Sequence, residues 1–256
     1  MAFDSRFKHP SNFLLIGPSQ VSFLVFSLLQ IDSKIIILSF FQSGKSTFIQ
    51  RLLKSRQLLF NPVPQKVIYV YSSNNSTISQ MLNEGLIHKA VKNLPDTFEA
   101  LGNLISPFYG EGVFLIIDDA LSQLMSSSFL PRMFEEFSHH NNCSIMFVSQ
   151  STFLDSSSYR RLSDNSHYII CLRNKRNPAK IRLLASQANP CNIKFILDTY
   201  LDAVKPKKLK KSNKEQNFNY GYYIFNFSLS QPEILNYMTN IFPSELEPVA
   251  VYRERL

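Results

Sequence analysis

The stretch Ser43-Gly44-Lys45-Ser46-Thr47 constrains this chain more than any other, because it has the form of the second half of a phosphate-binding loop. The full pattern is G-x-x-x-x-G-K-[ST]: backbone amides wrap the phosphates, the lysine reaches the outer ones and the hydroxyl binds Mg²⁺. Such a loop sits between a strand and a helix. Here the pattern fails at one place, since Ser39 stands where the first glycine belongs. A glycine that would fit, Gly17, lies upstream at the end of the apolar run Phe13-Leu14-Leu15-Ile16.

Between the two halves runs Val21 to Gln42, VSFLVFSLLQIDSKIIILSFFQ. It has the length of a membrane span, but Gln30, Asp32, Ser33 and Lys34 occupy its centre. An ionised group there costs about 2.5–3.5 kcal/mol, and each flanking apolar run is too short to cross a bilayer alone. No membrane association is expected. Removing these 22 residues joins Gly17, Pro18, Ser19 and Gln20 to Ser43, Gly44, Lys45 and Ser46, which satisfies every fixed position of the pattern. The segment corresponds to 66 nucleotides, begins Val-Ser and ends Phe-Phe-Gln, residues that intron-boundary codons and a pyrimidine tract followed by CAG can encode. Residues 21–42 therefore read as a short intron retained in frame. The competing reading is a genuine insertion, its two apolar halves flanking IDSK as an extruded hairpin. Closing such a loop is inexpensive, yet apolar side chains on both faces would make the hairpin an aggregation hazard.

A chain of 256 residues with 45% apolar content can bury one good-sized core, so a single α/β domain is expected. Its expected extent is residues 12–228, after an extension of residues 1–11 and before a tail of residues 229–256. Cys143, Cys171 and Cys191 are too few and too scattered for a disulfide framework or a zinc site, which points to a reducing, intracellular setting. The net charge of +8 is local: six lysines fall within Lys205 to Lys214, and without them it drops to +2. The basic loop, residues 205–219, reads either as a solvated face or as a phosphate-backbone contact or nuclear import signal.

With the loop rejoined, the chain carries the parts of a P-loop ATPase in order. Amides from Ser19 to Lys45 would form an anion nest at a helix N-terminus, Lys45 would reach the β- and γ-phosphates and Ser46 would bind Mg²⁺, with Thr47 beside it. The run STFIQRLLKS has helical apolar spacing at Phe48, Ile49, Leu52 and Leu53. KVIYVY (Lys66–Tyr71) reads as a buried parallel strand, and Ser76 to Leu104 as mixed helical sequence broken at Pro95. GVFLIIDD (Gly112–Asp119) reads as a central strand delivering two acids to the ligand edge of the sheet. Asp118 would hold the magnesium through water, and Asp119 would orient or deprotonate the attacking water. An apolar run ending in Asp-Asp is also what a strand-to-turn boundary looks like, but about 70 residues after the lysine loop it acquires a joint role, because the metal needs both parts. CSIMFVSQ (Cys143–Gln150) is a further strand, ending in Gln150 as a γ-phosphate sensor or a turn residue. His139 and His140 precede it without a third ligand at metal spacing. HYIICL (His167–Leu172) is flanked by Arg160, Arg161, Arg173, Lys175 and Arg176, which read as solvent- or DNA-facing or, in one case, as an arginine acting on a neighbour's phosphate.

The order FLLIGPSQ/SGKSTFI, VIYVY, LIIDDA, FEEFSHHNNCSIMFVSQSTF, RRLSDNSHYIICLRNKRNPAKIRLLASQANP and YGYYIFNFSLSQPEILNYMTNIFP resembles the genome-packaging ATPases of the FtsK/HerA superfamily. The resemblance is strongest to the poxvirus-type branch of Polinton (Maverick) elements and adintovirus-like viruses. It covers nearly all of the chain outside residues 21–42 and the lysine run. It implies a RecA/FtsK-like P-loop NTPase with a mostly parallel sheet flanked by helices, using ATP and Mg²⁺. It further implies a homo-oligomeric ring that pumps double-stranded DNA into a capsid, working in the nucleus or at a viral assembly site. Position by position, Lys45 and Ser46 match the nucleotide and metal ligands, and Asp118 and Asp119 the Walker B pair. Gln150 matches the sensor, Arg160 the arginine near the subunit boundary, and Asn165 the asparagine of the same block. Three departures stand out: Asp119 where the wider superfamily often has glutamate, Lys175 where proline is expected, and the lysine run in place of a short loop. The alternatives are a catalytically impaired, DNA-associating remnant, if the loop is interrupted in the protein itself, and a non-packaging, helicase-like translocase.

Overall fold

Short apolar runs separated by helices build one large sheet in the computed structural model, which describes residues 29–30, 33–38, 44–73, 76–108, 110–118, 128–138, 141–149, 157–173, 178–205, 221–229, 231–242 and 249–254. The strands are β1 (Leu29–Gln30), β2 (Lys34–Leu38), β3 (Phe60–Asn61), β4 (Lys66–Tyr71), β5 (Lys89–Lys92), β6 (Val113–Asp118), β7 (Cys143–Ser149), β8 (Tyr168–Leu172), β9 (Tyr222–Asn226), β10 (Tyr237–Thr239) and β11 (Ala250–Val251). The helices are α1 (Lys45–Lys54), α2 (Arg56–Leu59), α3 (Ser76–Asn83), α4 (Phe98–Ile105), α5 (Phe129–Arg132), α6 (Ser157–Asp164), α7 (Pro178–Ala188) and α8 (Ile193–Ala203). A π-helical turn, Met133–Phe137, continues α5.

The main sheet runs β11-β10-β9-β8-β2-β7-β6-β4-β5. The six strands from β8 to β5 are mutually parallel, and β9, β10 and β11 extend the β8 side antiparallel. This is an α/β architecture with a mostly parallel sheet flanked by helices, as expected. Alternation along each strand feeds two cores. Ile35, Ile37, Tyr69, Ile116 and Val148 pack with Phe48, Ile49, Leu52 and Leu53 of α1 on one face. Ile36, Leu38, Val70, Ile117 and Phe147 pack with residues of α4, α5, α6, α7 and α8 on the other. From β2 the chain crosses on the α1 face to β4; from β7 it crosses back over β2 on the opposite face to β8. The sheet therefore has a topological switch at the β2/β7 pair, where open parallel sheets form a ligand crevice beyond the carboxyl ends of their strands.

The second half of the apolar segment 21–42 is not an extruded hairpin. Lys34–Leu38 is the central strand, every residue buried, with Ile36 paired to Phe147 on one side and Ile169 on the other. The reason lies in spacing: Ile35 to Gln42 stand as far before Ser43 as Phe13 to Gln20 would with residues 21–42 removed. Four apolar residues thus arrive at the β7/β8 slot in the register the loop requires. The candidate strand Phe13–Ile16 lies outside the described residues, as does most of the basic loop.

Two further differences concern weaker signals. Between α3 and α4, where only helical periodicity is visible, the chain forms the edge strand β5, whose two end residues, Lys89 and Lys92, are exposed while Ala90 and Val91 between them pack on the two cores. The described part of the expected tail, residues 229–256, joins the sheet as β10 and β11 and buries Leu235, Met238, Ile241 and Phe242 against the α1 layer. Phe242 and Tyr222 meet Phe48 edge-on, with ring centroids 5.1 and 5.0 Å away, and the Arg51 guanidinium lies 4.3 Å from the Phe242 ring centroid. The helix carrying Lys45 is thereby clamped to the C-terminal strands.

Candidate functional site

The carboxyl edge of the sheet collects Gly44, Lys45, Ser46, Thr47 and Asp118 of the candidate residues. Gly44 caps α1 with φ of 88°, a left-handed conformation that glycine adopts without steric cost, and its carbonyl accepts from the Phe48 N–H at 2.8 Å. Lys45 is the first residue of α1, and Ser46 and Thr47 lie in its first turn, all partly exposed. That turn holds no acidic residue and receives no side-chain cap from Gly44, so its amides and the positive end of the helix dipole suit an anion.

Asp118 ends β6, one strand away from β2, and lies half-buried beside Tyr71 of β4 and Val148 of β7. Its place two residues after Ile116 puts it on the α1 face of the sheet. Its Oδ2 accepts a hydrogen bond of 2.8 Å from the hydroxyl of Tyr69. Burial, and next the charge of Asp118, raise the Tyr69 hydroxyl well above its ordinary pKa, so it remains a donor. Ser149 ends β7 and pairs with Leu38, so the next residue, Gln150, follows the strand between the two site elements. Gln150 and Asp119 themselves lie outside the described residues, as do Gly17, Pro18, Ser19, Gln20 and Ser43.

Arg160 and Arg161 adjoin on α6 and differ in their engagement. Arg161 binds Glu135 of the π-helical turn through Nε at 3.0 Å and Nη2 at 2.5 Å, and Asn165 Nδ2 reaches the same carboxylate at 3.4 Å. Arg160 is exposed and pairs with no described residue. The structure thus brings Lys45, Ser46, Thr47 and Asp118 to one edge and one face of the sheet, and leaves Arg160 facing outward.

Tyr69 and Glu135 escaped sequence reasoning. The available signal for Tyr69 was a hydroxyl-bearing aromatic in the interior of an apolar strand that ends in a second tyrosine, Tyr71; for Glu135 there was none, because its partner lies 26 residues on.

As for a metal, the described residues contain no cluster of three or more His, Cys, Asp or Glu that would hold one alone. A hydroxyl and a single carboxylate are instead an oxygen-only donor set, which suits Mg²⁺ completed by phosphate oxygens and water. Among the described residues no helix is long and apolar enough to cross a membrane. Comparison with protein-family models and with curated protein sequences finds no match for this chain.

Proposed function

We propose that the chain is a P-loop ATPase that couples ATP hydrolysis to movement of double-stranded DNA. The observation that carries this reading is the joint placement of Lys45, at the N-terminus of α1, and Asp118, at a strand tip on the same face, flanking the topological switch. Phosphoryl transfer asks the protein mainly for positioning and charge stabilisation. The amides of α1 and the Lys45 ammonium would bind and orient the phosphates, and the Ser46 hydroxyl and Asp118 would hold the metal, Asp118 through water. Bound there, Mg²⁺ neutralises charge on the transferring phosphoryl group. Asp119 would take the proton of the attacking water, Gln150 would report the γ-phosphate, and Arg160 would stabilise the developing charge in a neighbouring subunit of a ring. Packaging of DNA into a capsid rests on the family resemblance, and the lysine run supports contact with a phosphate backbone.

One observation favours a second reading, an impaired relative of such a motor. The strand entering the loop in this chain is Lys34–Leu38, so the first glycine of the pattern is replaced by Ser39. A serine there narrows the backbone's approach to the phosphates.

The deciding experiment measures Mg²⁺-dependent ATP hydrolysis, with and without duplex DNA, for the full chain and for a chain lacking Val21–Gln42. DNA-stimulated turnover that disappears in Lys45→Ala and Asp118→Ala supports the first reading. Turnover confined to the shorter chain supports the second for the full chain. Full activity in Lys45→Ala rules out the site.

A further inference from the structure

We propose that Tyr69 is a positioning residue for Asp118, holding its carboxylate in one orientation for a metal-bound water; the inference rests on the nucleotide site proposed above. Three observations lead to it. Tyr69 faces the α1 layer among Ile37, Val67, Ile116 and Val148, where an aliphatic side chain would satisfy packing. Among the described residues its hydroxyl bonds to Asp118 alone, at 2.8 Å. The strand register fixes the pair: Tyr69 is opposite Ile116 and Tyr71 opposite Asp118, so the tyrosine spans one diagonal step along a single face to reach the acid at the tip. A tyrosine ring has two rotatable torsions and here is almost wholly buried, so its hydroxyl is a rigid donor. Partners of this kind, which orient a ligand without touching the metal, typically alter metal affinity by about 10–100-fold.

The opposing explanation is that Asp118 merely satisfies a buried hydroxyl. Tyr69→Phe separates the two, because it keeps the ring and removes only the donor. The experiment titrates Mn²⁺ into the full chain with the non-hydrolysable analogue AMP-PNP, reading free Mn²⁺ by electron paramagnetic resonance, and measures analogue binding in EDTA alongside a thermal melt. The expected result is about tenfold weaker Mn²⁺ binding in Tyr69→Phe, with an unchanged melt and unchanged metal-free nucleotide binding. Adding Tyr69→Phe to Asp118→Asn should then weaken Mn²⁺ no further than Asp118→Asn alone. Unchanged Mn²⁺ affinity in Tyr69→Phe, where Asp118→Asn lowers it, overturns the positioning role and leaves the nucleotide site standing. Equal losses with and without metal also overturn it, as general damage. If the wild-type chain takes up no Mn²⁺ with the analogue, the nucleotide site itself fails and the positioning role with it.

Discussion

Arg161 and Glu135 form a two-pronged ion pair that ties α6 to the π-helical turn, while the adjacent Arg160 is exposed and pairs with no described residue. Neighbours in sequence thus divide into an internal brace and an outward-facing cation. Arg161→Ala should lower stability by about 1 kcal/mol, the upper range for a part-exposed pair of good geometry. Arg160→Ala should leave the denaturation midpoint within error and reduce ATP turnover at least a hundredfold if it completes a neighbour's site. Mixing Arg160→Ala subunits with Lys45→Ala subunits checks that assignment, since shared sites would restore part of the activity. No recovery in the mixture places the effect within one subunit.

The central strand makes a quantitative demand. Ile36 is wholly buried between β7 and β8, so Ile36→Ala should cost about 2–5 kcal/mol. Urea denaturation of the full chain measures it. A cost near zero would put Lys34–Leu38 outside the sheet.

Much of the sheet was legible beforehand, for a physical reason: KVIYVY, VFLIID, CSIMFVS and YIICL are buried on both faces, and such strands appear as unbroken apolar runs. Helix α1 was equally plain from Phe48, Ile49, Leu52 and Leu53. What local pattern could not settle was which apolar segment precedes the loop, because FLLI and IIIL carry the same pattern at the same distance from Ser43 once 22 residues are discounted. Edge strand β5 was missed because four residues with two outward lysines bury too little to leave a signature. Of the site, the lysine loop and the acid at the end of β6 were readable from motif and spacing. The Tyr69 contact depends on strand register, which no local pattern contains.

Deleting Val21–Gln42 should preserve the fold. The deletion brings Phe13–Ile16 to the positions Ile35–Leu38 occupy relative to Ser43, so an apolar strand of equal length is offered to the same slot. Circular dichroism and the urea midpoint should be close to those of the full chain, and nucleotide affinity should rise at least tenfold, because Gly17 replaces Ser39 in the loop. A shorter chain that is folded but binds nucleotide no better would remove the glycine from the argument.

His88 supplies a pH dependence remote from the site. Its Nδ1 accepts the Val67 N–H at 3.1 Å, and partial burial, then Lys66 and Arg56, hold its pKa below the usual 6.5. The unfolded chain therefore binds this proton more readily than the folded one. The contribution is fully present above about pH 6.5 and is lost as pH falls through that value toward the lower folded pKa. Urea midpoints measured from pH 7.5 to 5 should decline, and His88→Gln, which retains an acceptor but cannot titrate, should flatten that part of the decline.

The long-range bracing of α1 has a consequence for synthesis. β2 is translated before both of its sheet neighbours, which begin at Cys143 and Tyr168, and Phe48 waits 194 residues for Phe242. Until those segments emerge, Ile35, Ile36 and Ile37 have no partner strand and α1 lacks its aromatic clamp. The nascent chain thus carries a wholly buried apolar strand early and unpaired until Cys143–Ser149 has been made, a state that favours chaperone capture. A ribosome that stops before β7 releases a product with Lys45 and Ser46 present and neither of the strands that flank β2 in the sheet.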